Sequence, residues 1–325
     1  MKEPILRVTD LTTHFETKDG VIKAVDRVDL TVEQGDTLGV VGESGCGKTV
    51  LALSIMRLVP MPPGKIVAGS VFLDGLDLLQ LKREEMRRYL GKDISMIFQE
   101  PMTSLNPVLK IGDQIAEVVR FHEGLSRKKA LNRAVEMLRL VGMSSPEMRI
   151  HDYPHQMSGG MRQRVMIAMA LVCRPRLMLA DEPTTALDVT IQAQILDLIN
   201  RLKTELGTSV LLISHDLGVI AEAAQCVAVM YAGQIVEYSD VADLFSHPLH
   251  PYTLGLLLSL PRIDGPGKEN GHLTTIAGSV PSLFALPQGC RFQDRCPQVK
   301  NICRREEPSL RSQRQGHLVR CWLYV

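Results

Sequence analysis

The chain has no apolar run of the ~18–20 residues that a membrane span requires. The best candidates, VMIAMALVC (165–173) and LGLLLSL (254–260), are too short. Any membrane role is therefore expected to come through a partner. The N-terminus, MKEPILRVTDLTTHF, carries charges throughout and no apolar core of a secretory signal, so a cytosolic chain is expected. A surplus of one charge is missing as well: 37 Lys and Arg face 36 Asp and Glu. That balance gives no reason to expect nucleic acid or an anionic surface as the main partner. Internal repeats and low-complexity tracts are absent. Cysteine is scarce until the end, where Cys290, Cys296, Cys303 and Cys321 follow only Cys46, Cys173 and Cys226. Disulfide frameworks belong to small secreted domains, so reduced thiols or metal ligands are the better expectation here.

At 325 residues the length suits two or three domains. Short apolar runs, LGVV (38–41), ISMIF (94–98), LMLA (177–180) and VLLIS (210–214), alternate with helical patterns such as 189–206. The pattern implies an α/β fold with a largely parallel sheet. SRKKALNRAVEMLRLVG (126–142) has an N-cap Ser126, apolar positions at helical spacing and a terminating Gly142, and reads as a helical insertion. A Pro/Gly-rich linker, LPRIDGPGKENG (260–271), divides the chain near residue 262.

LGVV runs directly into GESGCGKT (42–49), which matches the phosphate-loop pattern G-x-x-x-x-G-K-S/T. Gly42, Gly45 and Gly47 allow the turns that aim backbone N–H groups of Ser44, Gly45, Cys46, Gly47, Lys48 and Thr49 at phosphate oxygens. Lys48 is expected to reach the β- and γ-phosphates, and Thr49 to give its hydroxyl to Mg²⁺. LMLADE (177–182) is a buried strand ending in two carboxylates, with Asp181 placed for Mg²⁺ and Glu182 for activating the attacking water. Gln99 and His215 follow two further strands, at the carboxyl edge where open α/β sheets bind ligands. A neutral amide at Gln99 suits Mg²⁺ or water; a lone histidine is as often structural.

HQMSGGMRQR (155–164) opens an apolar helix with Ser158, Gly159 and Gly160, whose free N–H groups form a second anion site. One nucleotide per chain does not easily use both sites. Two chains arranged head to tail do, each covering the nucleotide of the other.

With these residues the chain resembles the ATP-binding cassette (ABC) family over residues 1 to about 260. The resemblance makes GESGCGKT the Walker A motif, Gln99 the Q-loop, SGGMRQ the signature, LMLADE the Walker B motif, Ala186-Leu187-Asp188 the D-loop and His215 the switch histidine. Met157 and Met161 stand where Leu and Gln are common in that family. Phe15 lies where members place an aromatic against adenine, though a core phenylalanine fits as well. The implied fold is a P-loop NTPase (RecA-like) core with a β-rich N-terminal part and a helical subdomain over about 101–172. ATP closing a dimer of such domains, and hydrolysis reopening it, is the implied work. EPMTSLNPVLKIGDQI (100–115), after Gln99, is the expected docking groove for membrane partners. A translation or repair ATPase of the same family usually has two cassettes or a long coiled coil, and neither is present.

HPLHPYTLGLLLSLP (247–261) and the cysteine-bearing tail resemble the ATPase subunits of oligopeptide and dipeptide importers, a subgroup that includes nickel and glutathione systems. The resemblance implies an ABC ATPase domain (1–262) with a small C-terminal extension (263–325). It also implies a peripheral place on the cytoplasmic face of the membrane, two membrane-spanning permease subunits, a second and often non-identical ATPase chain, and indirectly an extracytoplasmic solute-binding protein. The tail spacing, C-x5-C-x6-C-x17-C, lacks the tight pairs of structural zinc but supplies four thiolates, which suit a 4Fe-4S cluster. Members of the subgroup carry such a cluster in this tail. Cluster, zinc and free thiols all remain open, as do a structural staple and a redox sensor. Cys46, at a helix N-terminus, is expected to have a lowered pKa, and Cys173 and Cys226 to be core residues.

Overall fold

Each of the four apolar runs forms a strand, Thr37–Val41, Ile94–Ile97, Leu177–Asp181 and Ser209–Ser214, and every residue in them is buried. Unbroken burial is what parallel strands covered on both faces require. These strands belong to a computed structural model that describes residues 4–99, 104–185, 187–260, 275–314 and 316–325. The start of the expected docking segment (100–103), Ala186 of the D-loop and most of the linker, with the boundary at 262, lie outside the described residues. The chain divides into two compact units, one of residues 1–6, 32–37 and 72–213 and the other of 7–31, 38–71 and 214–325.

In the first unit, Leu177–Asp181 runs parallel to Ile94–Ile97 on one side and to Ser209–Ser214 on the other, with Asp181 opposite Ile213. The register brings two strand ends with polar residues, Asp181-Glu182 and Gln99, to one edge. The helical insertion contains Ile111–Glu123, Arg127–Leu140 and Gly159–Leu171, which pack against one another. Arg127–Leu140 buries Ala130, Ala134, Met137 and Leu138, one face at helical spacing. Ser126 occupies the N-cap with extended backbone, but its side chain makes no capping bond. Gly142 follows the last turn at φ 73, a left-handed conformation that glycine adopts freely.

In the second unit, Leu38–Val41 pairs in parallel with Cys226–Val229. Cys226–Tyr231 turns back into Gln234–Asp240 through Ala232 and Gly233, both at positive φ as a two-residue hairpin demands. The tail then continues this sheet: His317–Val319 pairs antiparallel with Gln234–Asp240, placing Val319 opposite Glu237, and Arg311–Arg314 adds the outer strand. Strands Gly20–Glu33, Pro4–Thr17 and Gly64–Leu73 lie side by side in a separate sheet.

Side chains fasten the tail where the sheet receives it. Glu237, fully buried, accepts the N–H groups of Leu249 at 2.7 Å and His250 at 2.9 Å and is bonded by His317 Nε2 at 2.8 Å. The other nitrogen of His317 meets Asp243 Oδ2 at 2.7 Å. Phe292 is 2 % exposed and packs edge-on to Tyr231 at 5.2 Å. Burying such a ring contributes about 1.5–3 kcal/mol. Arg291 donates to Asp26 and to the Ala232 carbonyl, with both ion-pair side chains under one-tenth exposed.

Burial alone raises the pKa of Asp26, but the Arg291 and Arg27 charges outweigh it and the net shift is downward. The folded pKa lies below the unfolded one, so the carboxylate's contribution is complete above the unfolded value of about 4 and is lost as the pH falls through the folded value. Arg291→Met leaves Asp26 buried without its main cation, and is expected to lower stability at pH 7 by about 3–5 kcal/mol in urea unfolding. The double variant with Asp26→Asn is expected to recover part of that loss.

Candidate functional site

The phosphate loop begins where the Thr37–Val41 strand ends and passes into the helix Lys48–Ile55. Two of its glycines are required by close approach as well as by backbone conformation. A Cβ on Gly42 (φ 157) stands 2.2 Å from the Met230 carbonyl oxygen, and one on Gly47 (φ 108) 2.2 Å from that of Ala24. The loop is thus wedged between neighbouring backbones. Ser44, Gly45 and Thr49 are exposed, with Thr49 in the first turn of the helix, where N–H groups lack partners inside the helix.

Lys48 is 5 % exposed, and its ammonium donates to the carbonyls of Gly42 at 2.7 Å and Glu43 at 3.1 Å. An ammonium has three donors: the two carbonyl bonds aim it, and its third contact, to the Cys46 sulfur at 4.0 Å, is a weak one that a phosphate oxygen can replace. The chemistry of this cradle fits a nucleotide polyphosphate.

Cys46 departs from its expectation. Its side chain is fully buried, and burial raises its pKa despite the opposing Lys48 charge. Its sulfur lies against the loop from beneath, 4.0 Å from the Lys48 ammonium. Phe15 is half-buried in the Pro4–Thr17 strand, with its ring edge 3.1 Å from where a Gly64 Cβ would lie.

In the other unit the carboxylate edge is built as the register implied. Asp181 closes its strand at 1 % exposure. Glu182 follows at φ 47, a conformation that costs a non-glycine residue about 1–3 kcal/mol and that collects at functional sites. Its N–H is held by the Ile213 carbonyl at 2.9 Å. The Glu182 carboxylate accepts from Thr185 Oγ1 at 2.8 Å and from Gln99 Nε2 at 3.1 Å, so Gln99 and Glu182 come together. Asp181 and Gln99 carry oxygen donors of the kind Mg²⁺ takes, and the exposed Thr49 hydroxyl of the phosphate loop is a donor of the same chemistry.

Ser158 caps the helix Gly159–Leu171, accepting from Met161 N at 3.4 Å. Gly160 packs closely on the next helix: a Cβ there would lie 3.0 Å from the Ile191 side chain, which would have to give by a few tenths of an ångström. Asp188 caps the helix Val189–Leu206, its Oδ1 accepting from Ile191 N at 3.0 Å. His215 is exposed at the end of its strand, ahead of Asp216, which caps the next helix.

In the tail, Cys303 and Cys321 are buried and Cys290 and Cys296 half-buried. Burial raises the Cys290 thiol to about 12, and the charges of Cys303, Cys321 and Cys296 push the same way. The four thiols therefore share one neighbourhood. Among the described residues, however, no group of three or more His, Cys, Asp or Glu is arranged to hold a metal ion. The expected cluster has its donor chemistry here without a ready ligand set. Cys173 and Cys226 are half-buried, short of the full burial expected of core thiols.

Spacing gave no sign of several residues that shape the site. Tyr252 Oη accepts the Glu43 N–H at 2.9 Å, and Arg295 in the tail holds the Glu43 carboxylate with two bonds.

A phosphate loop, a strand ending in paired carboxylates and a Ser-Gly-Gly helix start together define a P-loop ATPase of the cassette class. Residues 25–185 match the ABC transporter family, and residues 236–303 match the oligopeptide/dipeptide transporter C-terminal region. The oligopeptide transport ATP-binding protein AppD of Bacillus subtilis is 53% identical over 320 residues, covering 98% of this chain and 97% of that protein. The dipeptide transport ATP-binding protein DppD of the same organism is 49% identical, over 99% and 95%. Among solved structures, the dimeric ATP-binding cassette MJ0796 in a post-hydrolysis state with ADP and Pi superposes with a TM-score of 0.65 at 26% identity, over 73% of this chain and 98% of that one. The chain belongs to the ABC transporter family, among the ATP-binding subunits of its oligopeptide/dipeptide branch.

Glu182→Gln is expected to keep ATP binding and to lower turnover by about 10²–10⁴-fold, the usual share of a general base, measured by nucleotide binding beside phosphate release. Cys46 is expected to resist iodoacetamide at pH 8 even without nucleotide, and peptide mapping by mass spectrometry reads its labelling against Cys226.

Proposed function

We propose that the chain is the ATP-hydrolysing subunit of an importer for di- and oligopeptides. The observation that carries this reading is the tail: residues 236–303 match the oligopeptide/dipeptide transporter region, and the described residues among them belong to the same compact unit as the phosphate loop. An ABC ATPase domain over 1–262 and an extension over 263–325 describe the two parts of the chain. No helix among the described residues is long and apolar enough to cross a membrane. The subunit works peripherally at the cytoplasmic face, on two permease subunits, with a second ATPase chain and indirectly a solute-binding protein.

Bound ATP supplies the phosphoanhydride, and Mg²⁺ the positive charge that offsets its oxygens. Backbone N–H groups from Ser44 to Thr49 and the Lys48 ammonium hold the phosphates, with Gly42, Gly45 and Gly47 keeping the path clear. Thr49, Asp181 and Gln99 would hold the metal ion, and Phe15 would face the adenine. Glu182 takes the proton of the attacking water on the carboxylate that Thr185 and Gln99 orient, and His215 acts as the switch. Ser158, Gly159 and Gly160, with Asp188 beside them, serve the nucleotide of the facing chain. Moving a two-state assembly from 1:99 to 99:1 takes about 5.5 kcal/mol, or about 3 kcal/mol from each of two nucleotides, a scale that charge-assisted contacts reach.

The tail cysteines are proposed as the ligands of a 4Fe-4S cluster on donor chemistry alone, as a staple for a part of the chain with little core. Anaerobically purified protein is expected to contain iron and sulfide and to absorb broadly in the visible, and Cys296→Ser to lose that absorption. Colourless, iron-free protein contradicts the cluster and leaves the ATPase reading intact. The function itself is tested by uptake in cells with and without the subunit. Labelled dipeptide uptake is expected to disappear without it and to be competed by peptides; competition by nickel or glutathione alone contradicts the peptide reading.

A further inference from the structure

Glu43 is an acidic residue inside a loop built to hold a polyanion, and every polar part of it is tied down. Its N–H donates to Tyr252 Oη at 2.9 Å, and its carbonyl accepts from the Lys48 ammonium at 3.1 Å. Its carboxylate receives Arg295 in a two-bond fork, Nη1 to Oε2 at 2.7 Å and Nη2 to Oε1 at 2.9 Å. The Arg295 side chain is only 5 % exposed. Its guanidinium lies 5.8 Å from the Tyr231 ring and 5.9 Å from that of Phe292, and its Nε donates to the Ala277 carbonyl at 3.0 Å. A planar fork against a carboxylate, backed by aromatic faces, is a geometry that arginine satisfies and lysine does not.

Without this cation, the Glu43 carboxylate would stand as an uncompensated negative charge on a loop whose backbone chemistry suits a polyanion. With it, the charge is neutralised and the first peptide units of the loop are fixed.

We propose that Arg295 is a positioning residue of the nucleotide site: by holding Glu43 it sets the phosphate loop and makes nucleotide affinity depend on the docked tail. Arg295 precedes Cys296 and shares a short loop with Cys290 and Arg291, so the segment carrying two of the tail thiols also carries the hold on the phosphate loop. The inference rests on the ATPase reading above, and the test separates the two.

The measurement is MgATP affinity and steady-state hydrolysis of the full-length chain with its partner ATPase. Arg295→Met is expected to weaken MgATP binding about tenfold and to raise KM in step while kcat at saturation stays near the wild type, because Arg295 touches no reacting atom. Adding Glu43→Gln removes the carboxylate and is expected to recover most of the affinity. A merely structural loss of tail docking is not repaired that way. Should Arg295→Met fail to fold, Arg295→Lys keeps the charge without the fork and is expected to weaken binding roughly threefold. Wild-type affinity in Arg295→Met or Arg295→Lys, or no recovery from Glu43→Gln, overturns the proposal. Wild-type protein that binds no MgATP instead overturns the ATPase reading on which it rests.

Discussion

A loop that holds a polyphosphate with its backbone must keep side chains out of the way, and the rest of this structure follows from that constraint. Gly42 and Gly47 leave no room for a Cβ beneath the carbonyls of Met230 and Ala24. The neighbouring strands must therefore be in place for the loop to have its shape. Gly42 lies against the end of the Cys226–Tyr231 strand, which turns into Gln234–Asp240, and on that strand the tail builds His317–Val319. Phosphate loop and tail are thus joined through successive strands of one sheet. The fully buried Glu237, shared by His317 and the N–H groups of Leu249 and His250, makes the connection costly to undo.

The carboxylate edge obeys a different logic. Three parallel strands, buried throughout, deliver Gln99, Asp181 and Glu182 to one end of the first unit. The polar groups there are oriented by one another: Gln99 and Thr185 both donate to Glu182, whose backbone sits in a strained region. Strain held by surrounding hydrogen bonds is a common form of preorganisation. The two capping side chains, Ser158 and Asp188, start helices in the same unit and give the candidate interface its local order.

Much of this was legible in the residues. GESGCGKT, LMLADE and the Ser-Gly-Gly helix start are contiguous motifs, and four short apolar runs became four buried strands because burial on both faces needs no alternation. What stayed hidden depends on distance along the chain. Arg295 and Glu43 are 252 residues apart, and Arg291 reaches Asp26 across 265, so neither pairing leaves a local pattern. Cys46 misled for a related reason. Its position at a helix start argued for a lowered pKa, but its burial is imposed by tertiary packing that the motif does not contain. The tail cysteines announced their grouping, and the fold does place them in one neighbourhood; their spacing said nothing of how the thiols are aimed.

In the proposed assembly this chain is half of a two-chain nucleotide sandwich, with its phosphate loop covered by the Ser158–Gly160 segment of another cassette. Sedimentation velocity with the partner ATPase chain, Mg²⁺ and a non-hydrolysable ATP analogue tests it most directly. The analogue is expected to convert single chains into a two-chain species holding two nucleotides. Saturating analogue bound to chains that remain single would contradict it.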